Sequence, residues 1–171
     1  DKQVIIADNL SNSNVEVVAK IETITGKKPE FHQMDIADTI ALDRLFTENK
    51  IDAVVHFAGF KAVGESVQKP IEYYRNNLLS LINLLGAMDK HNIPALVFSS
   101  SCTVYGQPEK LPVNEDTPVK PAISPYGNTK QICEEIIHET MSVKPALRSV
   151  ALRYFNPIGA HPSALIGELP R

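Results

Sequence analysis

Short runs of β-branched and other apolar residues alternate along the chain with longer stretches in which apolar positions recur every three or four residues. Five runs read as strands, over residues 3–7, 30–34, 53–57, 95–99 and 149–154. Each is continuous in apolar character, the pattern of a strand covered on both faces in a parallel sheet. Ile71, Tyr74, Leu78, Leu81, Leu85 and Met88 recur at helical spacing and predict one long helix after Pro70 whose stripe faces the core. A second helix is predicted to open at Ser124-Pro125, where a side-chain cap precedes proline at the first helical position, and to run through Glu134, Glu135, Ile136 and Ile137. Strands alternating with helices build βαβ units, so the expected class is α/β with a doubly wound parallel sheet.

Proline and glycine punctuate the rest. Residues 107–123 carry Pro108, Pro112, Pro118 and Pro121 and read as an irregular loop. From residue 156 the periodicity fails among Pro157, Gly159, Pro162, Gly167 and Pro170. The sheet domain is therefore expected over residues 1–155, with residues 156–171 as the entrance to a second, smaller domain. No internal repeat or low-complexity tract interrupts this order.

Composition narrows the function classes. With 171 residues, 43% hydrophobic and 22% charged, the chain can bury one sizeable core. A net charge of -3 with no local basic patch argues against a nucleic-acid surface, so a small ligand is expected. The longest apolar stretch, residues 78–85, is broken by Ser80 and Asn83 and falls far short of the roughly 20 apolar residues that span a bilayer, so no membrane span is expected. Cys102 and Cys133 are far apart and outside any Cys-x-x-Cys pattern, which predicts a reducing, cytoplasmic setting. His32, His56, His91, His138 and His161 are scattered without metal-ligand spacing, so no metal site is expected. Asp1 leads straight into Val4-Ile5-Ile6 with no signal-like region, and the chain is expected to begin inside a longer one.

In an open parallel sheet, ligands bind beyond the carboxyl ends of the strands, where loops and helix N-termini present backbone donors. The five predicted strands are followed in turn by Asp8-Asn9, Asp35, Ala58-Gly59, Ser100-Ser101 and Asn156. Small or polar residues thus end every strand, as a dinucleotide crevice requires. An acid just past the second strand of such a fold hydrogen-bonds the adenosine ribose and repels a 2′-phosphate, which makes Asp8 a marker for NAD. By itself the Asp-Asn pair also fits a simple turn.

Tyr126 and Lys130 lie four residues apart in the first turns of the predicted second helix, on one face. A phenol titrating near about 10 is a poor base at neutral pH. A neighbouring ammonium and the positive end of the helix dipole both favour the phenolate. Tyr-x-x-x-Lys also fits a surface pair, but Ser101 at an upstream strand end can relay or orient the proton.

These residues carry a resemblance. Ser99-Ser100-Ser101 leading to Val104-Tyr105-Gly106, then Tyr126-x-x-x-Lys130, then Arg153-Tyr154-Phe155-Asn156-Pro157, resemble the extended short-chain dehydrogenase/reductases. The segments 8–13, 56–66 and 154–163 are similar to motifs of the nucleotide-sugar epimerases within that family, and the likeness runs over the whole chain. It implies a Rossmann-type NAD-binding domain followed by the start of a sugar-nucleotide domain, and an enzyme that interconverts UDP-galactose and UDP-glucose through a 4-keto sugar. Tyr126 would take the proton of the sugar 4-hydroxyl while C4 gives hydride to NAD. Ser101 would share the hydrogen bond to that hydroxyl, and Lys130 would hold the nicotinamide ribose and favour the Tyr126 phenolate. The resemblance further implies that Asp8, Asn9, Leu10, Ser11, Asn12 and Ser13 hold the adenosine half of NAD, with Asp35 and Ile36 near the adenine. Phe57, Ala58, Gly59, Phe60, Lys61 and Asn76 would follow the diphosphate and ribose, Phe155 would lie near the nicotinamide, and Asn156 would reach the substrate diphosphate. A homodimer through the long helix after Pro70 is implied as well.

Two departures from the family pattern matter, the missing first βα unit with its glycine-rich loop and the missing greater part of the sugar-nucleotide domain expected beyond residue 171, and a smaller one lies at residue 102. The eight glycines, Gly26, Gly59, Gly64, Gly86, Gly106, Gly127, Gly159 and Gly167, include no Gly-x-x-Gly-x-x-Gly cluster. In a sheet of order 3-2-1-4-5-6 the unit that carries that cluster supplies the central strand, so its neighbours lack a partner and the chain alone is expected to fold poorly. Cys102 stands where the family more often has alanine. Two other readings use the same crevice. A nucleotide-sugar 4,6-dehydratase needs an Asp-Glu pair where this chain has Cys102-Thr103, and a catalytically silent NAD-sensing module tends to lose the tyrosine or lysine present here.

Overall fold

The computed structural model describes residues 2–167. Strand and helix alternate in the order β1 (Ile5–Asp8), α1 (Glu16–Thr25), β2 (Glu30–Gln33), α2 (Thr39–Glu48), β3 (Val54–His56), α3 (Val63–Gln68), α4 (Pro70–Lys90), β4 (Ala95–Ser101), α5 (Pro125–Val143) and β5 (Arg148–Tyr154). A single 3-10 turn, Cys102–Tyr105, follows β4. All five expected strands form, with shifted ends. β4 runs two residues further than expected, so Ser101 is its last residue rather than the loop after it.

Local chemistry sets the helix starts. Asp38 caps α2 by accepting from the Ile40 and Ala41 amides at 3.0 and 3.1 Å. Ser124 caps α5 by accepting from the Gly127 amide at 3.1 Å, with Pro125 at the first helical position as the sequence predicts. Both caps satisfy backbone donors that no helical carbonyl can reach.

Every strand pair is parallel, in two groups of order β1-β2 and β3-β4-β5. These are the flanks of a 3-2-1-4-5-6 sheet on either side of its central position. Among the described residues β1 pairs only with β2, and β3 only with β4. The α/β class with parallel strands is therefore as expected.

The core gathers Leu42, Leu45 and Phe46 of α2, Leu81, Leu84, Leu85 and Met88 of α4, Leu96 and Phe98 of β4, and Cys133 and Ile137 of α5. Burying a large apolar side chain of this kind stabilises by roughly 1.5 to 3 kcal/mol, and these helices are fixed on the sheet by that term. Two expectations are corrected. The strands are not covered on both faces: Val55 and Val150 are 56% and 57% exposed, because β3-β4-β5 packs its helices on one side. The stripe of α4 is core at Leu81, Leu85 and Met88 as expected, but in its first turns the buried face is rotated from the stripe. Ile71 is 68% exposed, Tyr74 and Leu78 are half-buried, and Tyr73, Asn77 and Ser80 face inward instead.

Residues 107–123 form the expected irregular loop, stapled to α5 by Gln131, whose Nε2 donates to the carbonyls of Val104 and Lys120 at 2.8 and 2.6 Å. Gly106 turns the chain into this loop at φ 59°, where a Cβ would lie 2.5 Å from the Pro121 carbonyl oxygen, so only glycine fits. Beyond β5 the chain is irregular, and Gly159, Ala160 and His161 come beside Ile21 and Ile24 of α1. The last part of the expected second domain, residues 168–171, lies outside the described residues, as does Asp1. Among the described residues no helix is long and apolar enough to cross a membrane.

Candidate active site

The carboxyl ends of β1, β2 and β3 open on one crevice, closed on its far side by α4. It is lined by Ala7, Asp8, Asn9, Ser11 and Asn12 after β1, by Met34, Asp35 and Ile36 after β2, by Ala58, Gly59 and Phe60 after β3, and by Asn76 and Ser80 of α4. Nine of the residues predicted from sequence thus share one wall, namely Asp8, Asn9, Ser11, Asn12, Asp35, Ile36, Ala58, Gly59 and Phe60, and Asn76 faces them.

Asp8 organises the loop after β1. Its Oδ1 accepts from the Leu10 amide at 2.6 Å and from the Ser13 hydroxyl at 2.7 Å. Leu10 turns there at φ 58°. Leu10 and Ser13 therefore shape the loop rather than line the crevice. Among the described residues Oδ2 of Asp8 has no partner, which leaves an acceptor free for a ligand hydroxyl. Asn9 donates from Nδ2 to Asp35 Oδ2 at 3.0 Å and accepts from the Ser11 amide at 3.0 Å, so the loops after β1 and β2 are tied together.

A buried amide joins the loop after β3 to α5. Asn77 accepts from the Phe60 amide at 2.8 Å, and its Nδ2 donates to the Phe60 carbonyl and to Thr129 Oγ1, each at 3.1 Å. Thr129 in turn donates to the Tyr126 carbonyl at 2.7 Å. The backbone at Gly59 passes so close that a Cβ there would lie 3.2 Å from Asn77 Oδ1 and 3.9 Å from Lys130 Nζ. Gly59, which lines the crevice, thus brings its backbone close to both Asn77 and the Lys130 ammonium.

Lys130, Tyr126 and Ser101 are all buried, at 6%, 8% and 8% exposure. The Lys130 ammonium donates to the Ser99 carbonyl at 2.7 Å and stands 4.8 Å from the Phe98 ring centroid and 5.9 Å from that of Tyr126. Burial holds the pKa of Lys130 below the usual ammonium range. His56 of β3 is buried near it, and burial first, then the Lys130 charge, pushes the imidazole down to about 4, so it is neutral at physiological pH. Ser101 Oγ accepts from both the amide and the hydroxyl of Thr103, at 3.2 and 3.0 Å.

Four predicted residues stay outside this assembly. Phe57, Lys61, Phe155 and Asn156 are exposed, and none lines the crevice. Phe57 stacks on Tyr154 at 6.3 Å between ring centroids, on the open side of the sheet. Phe155 and Asn156 follow directly on Tyr154, the register partner of Ser101 across β4 and β5. Sequence reasoning missed Asn77, Thr103 and Thr129, and also a bidentate pair in which Arg153 donates from Nε and Nη2 to the two oxygens of Glu134 at 3.0 and 2.7 Å. Glu134 also accepts from Ser100, which braces the strand end beside Ser101. An asparagine one position from the predicted Asn76, inside an apolar helix stripe, is the signal that could have found Asn77.

A family model described as the NAD dependent epimerase/dehydratase family matches residues 1–169. The UDP-glucose 4-epimerase of Dictyostelium discoideum is 51% identical over 98% of this chain and 48% of its own length. That of Schizosaccharomyces pombe is 52% identical over 98% of this chain and 48% of its own. Among solved structures, UDP-glucose 4-epimerase from Bifidobacterium longum in complex with NAD+ and UDP superposes with a TM-score of 0.95 at 49% identity, over 97% of this chain and 50% of that one. The enzyme from Stenotrophomonas maltophila, with bound NAD and formylated UDP-arabinopyranose, gives a TM-score of 0.95 at 47% identity, over 99% of this chain and 50% of that one. The chain thus spans about half the length of the relatives it matches. By its sequence, its parallel strand order and the crevice at its strand ends, the chain belongs to the NAD dependent epimerase/dehydratase family.

Proposed function

We propose that this chain is the cofactor-holding and proton-transferring half of a UDP-glucose 4-epimerase that interconverts UDP-galactose and UDP-glucose. The observation that carries the reading is the joining of one crevice, running from Asp8 to Gly59, with the buried Lys130 and Tyr126. The residues fit NAD. Asp8 offers a free carboxylate oxygen to a ribose diol, Gly59 lines the crevice where a diphosphate would run, and Lys130 brings a cation to the second ribose. NAD bound there would supply a reversible hydride acceptor for sugar C4.

The chain's own residues handle the proton. Tyr126 takes the proton of the 4-hydroxyl as the C4–O bond becomes a carbonyl, and returns it when that carbonyl is reduced from the other face. Ser101 hydrogen-bonds the same oxygen. Lys130 holds the ribose hydroxyls, and Phe155 and Asn156 reach the nicotinamide and the substrate diphosphate from the end of β5. Residues 102 and 103, a cysteine and a threonine, provide no carboxyl group for a dehydratase's elimination. Residues 1–155 form the NAD-binding domain in this reading, and residues 156–171 begin the sugar-nucleotide domain.

The protein is a cytoplasmic homodimer in the same proposal. Leu79 and Ile82, on the solvent side of α4, support pairing of that helix with its copy, and a sedimentation coefficient fixed at the monomer value across concentrations would remove it. The activity is tested in a chimera in which this chain replaces the matching half of the Dictyostelium discoideum enzyme. Incubated with UDP-galactose and no added NAD, the chimera is expected to yield UDP-glucose. Unchanged substrate in a chimera that carries bound NAD would contradict the reading.

A further inference from the structure

Thr103 adjoins Ser101, one of the two side chains assigned to the proton transfer, and the backbone next to Tyr126, the other. It lies on the single turn after β4. Ser101 Oγ accepts from its amide at 3.2 Å and from its hydroxyl at 3.0 Å. A serine hydroxyl has two acceptor positions and one proton. Among the described residues Ser101 Oγ is the one acceptor in reach of the Thr103 hydroxyl; with that hydroxyl turned to it, residue 103 fills both acceptor positions, and the remaining capacity of Ser101 is to donate its own proton.

The other side of Thr103 meets α5. A Cβ placed on Gly127 would lie 3.3 Å from Thr103 Cβ, tighter than ordinary packing. Gly127 directly follows Tyr126 and its amide is engaged by the Ser124 cap, so this backbone is fixed. One side chain therefore holds the Ser101 hydroxyl and also abuts the backbone that carries Tyr126.

We infer that Thr103 is a positioning residue that makes Ser101 a hydrogen-bond donor to the sugar 4-oxygen, and that glycine at position 127 lets Thr103, with Ala122 and Ser124, pack close to the start of α5. The inference rests on the epimerase reading and deepens it. In a relay, Ser101 Oγ would accept the 4-hydroxyl proton while passing its own to Tyr126. That step needs a free acceptor position on Ser101, and residue 103 holds both. Tyr126 therefore takes the proton directly, and Ser101 stabilises the oxygen as its bond to C4 gains carbonyl character.

The test uses the same chimera with Thr103→Val, Thr103→Ser and Gly127→Ala. Valine keeps the shape and removes the hydroxyl: kcat is expected to fall about tenfold or more, with the KM for UDP-galactose and the bound NAD within about twofold of the parent. Serine is expected to restore kcat to within about threefold. Gly127→Ala is expected to lower kcat without lowering Tm, because alanine favours the helix while crowding Thr103. A crystal structure of the Thr103→Val chimera is expected to show Ser101 Oγ in a different rotamer. Parental kcat in Thr103→Val, or Ser101 Oγ unmoved in that crystal, would overturn the inference. A parent chimera without epimerase activity defeats the functional reading alone, and the Ser101 rotamer still decides this one.

Discussion

The Lys130 ammonium donates to the Ser99 carbonyl oxygen at 2.7 Å, joining the second turn of α5 to the end of β4. Among the described residues it has no carboxylate partner, and burial holds its pKa down. A buried cation without a counter-charge is expensive, and replacing such a group with an apolar one of similar length is often neutral or stabilising. Lys130→Met in the chimera is therefore expected to keep or raise Tm while lowering kcat/KM by about a hundredfold or more. Thermal unfolding and steady-state kinetics on one preparation check both halves. A large fall in Tm would mean that the lysine is kept for stability.

His56 gives a pH prediction. Its imidazole is held down to about 4 in the folded chain by burial and by Lys130, against 6.5 for the free group. A base with a depressed pKa contributes its full stability above the unfolded value and loses it as pH falls through the window down to the folded value. Stability is thus expected to decline between pH 6.5 and about 4, by up to about 3 kcal/mol. Urea unfolding across that window, with His56→Gln as control, reads the effect. An equal slope in the control would assign the loss to other groups.

Asn77 makes a third case. It satisfies the backbone amide and carbonyl of Phe60 and bonds Thr129, all in a buried place. Asn77→Ala leaves these groups without partners, and each such orphan costs about 1 to 3 kcal/mol. The expected loss is about 2 to 4 kcal/mol, seen as a lower midpoint in denaturant, together with weaker retention of NAD because the loop after β3 is released. An unchanged midpoint would show that water replaces the amide at no penalty.

What could be read in advance follows from how local each signal is. Strands were legible because β-branched runs favour extended backbone wherever they fall in the fold, and the start of α5 because Ser124 and Pro125 act on their own helix. The Asp8 loop was legible for the same reason: its bonds run to Leu10 and Ser13. The rotated face of α4 was not. An apolar stripe was counted as core, while Asn77 and Ser80 are buried because distant backbone and their own helix satisfy them. Nor was the Glu134–Arg153 pair, which joins α5 to β5 across 19 positions. Thr103 lay outside the reading because its contact with Gly127 exists only once β4 and α5 have packed.

Tyr126 carries the central claim. The most direct measurement is the rate of UDP-galactose conversion by Tyr126→Phe in the chimera, with bound NAD quantified in the same sample. The account predicts a loss of about a hundredfold to ten-thousandfold in kcat with NAD retained, because the phenylalanine keeps the ring but cannot take the proton. A variant that holds NAD and turns over at the parental rate would contradict it.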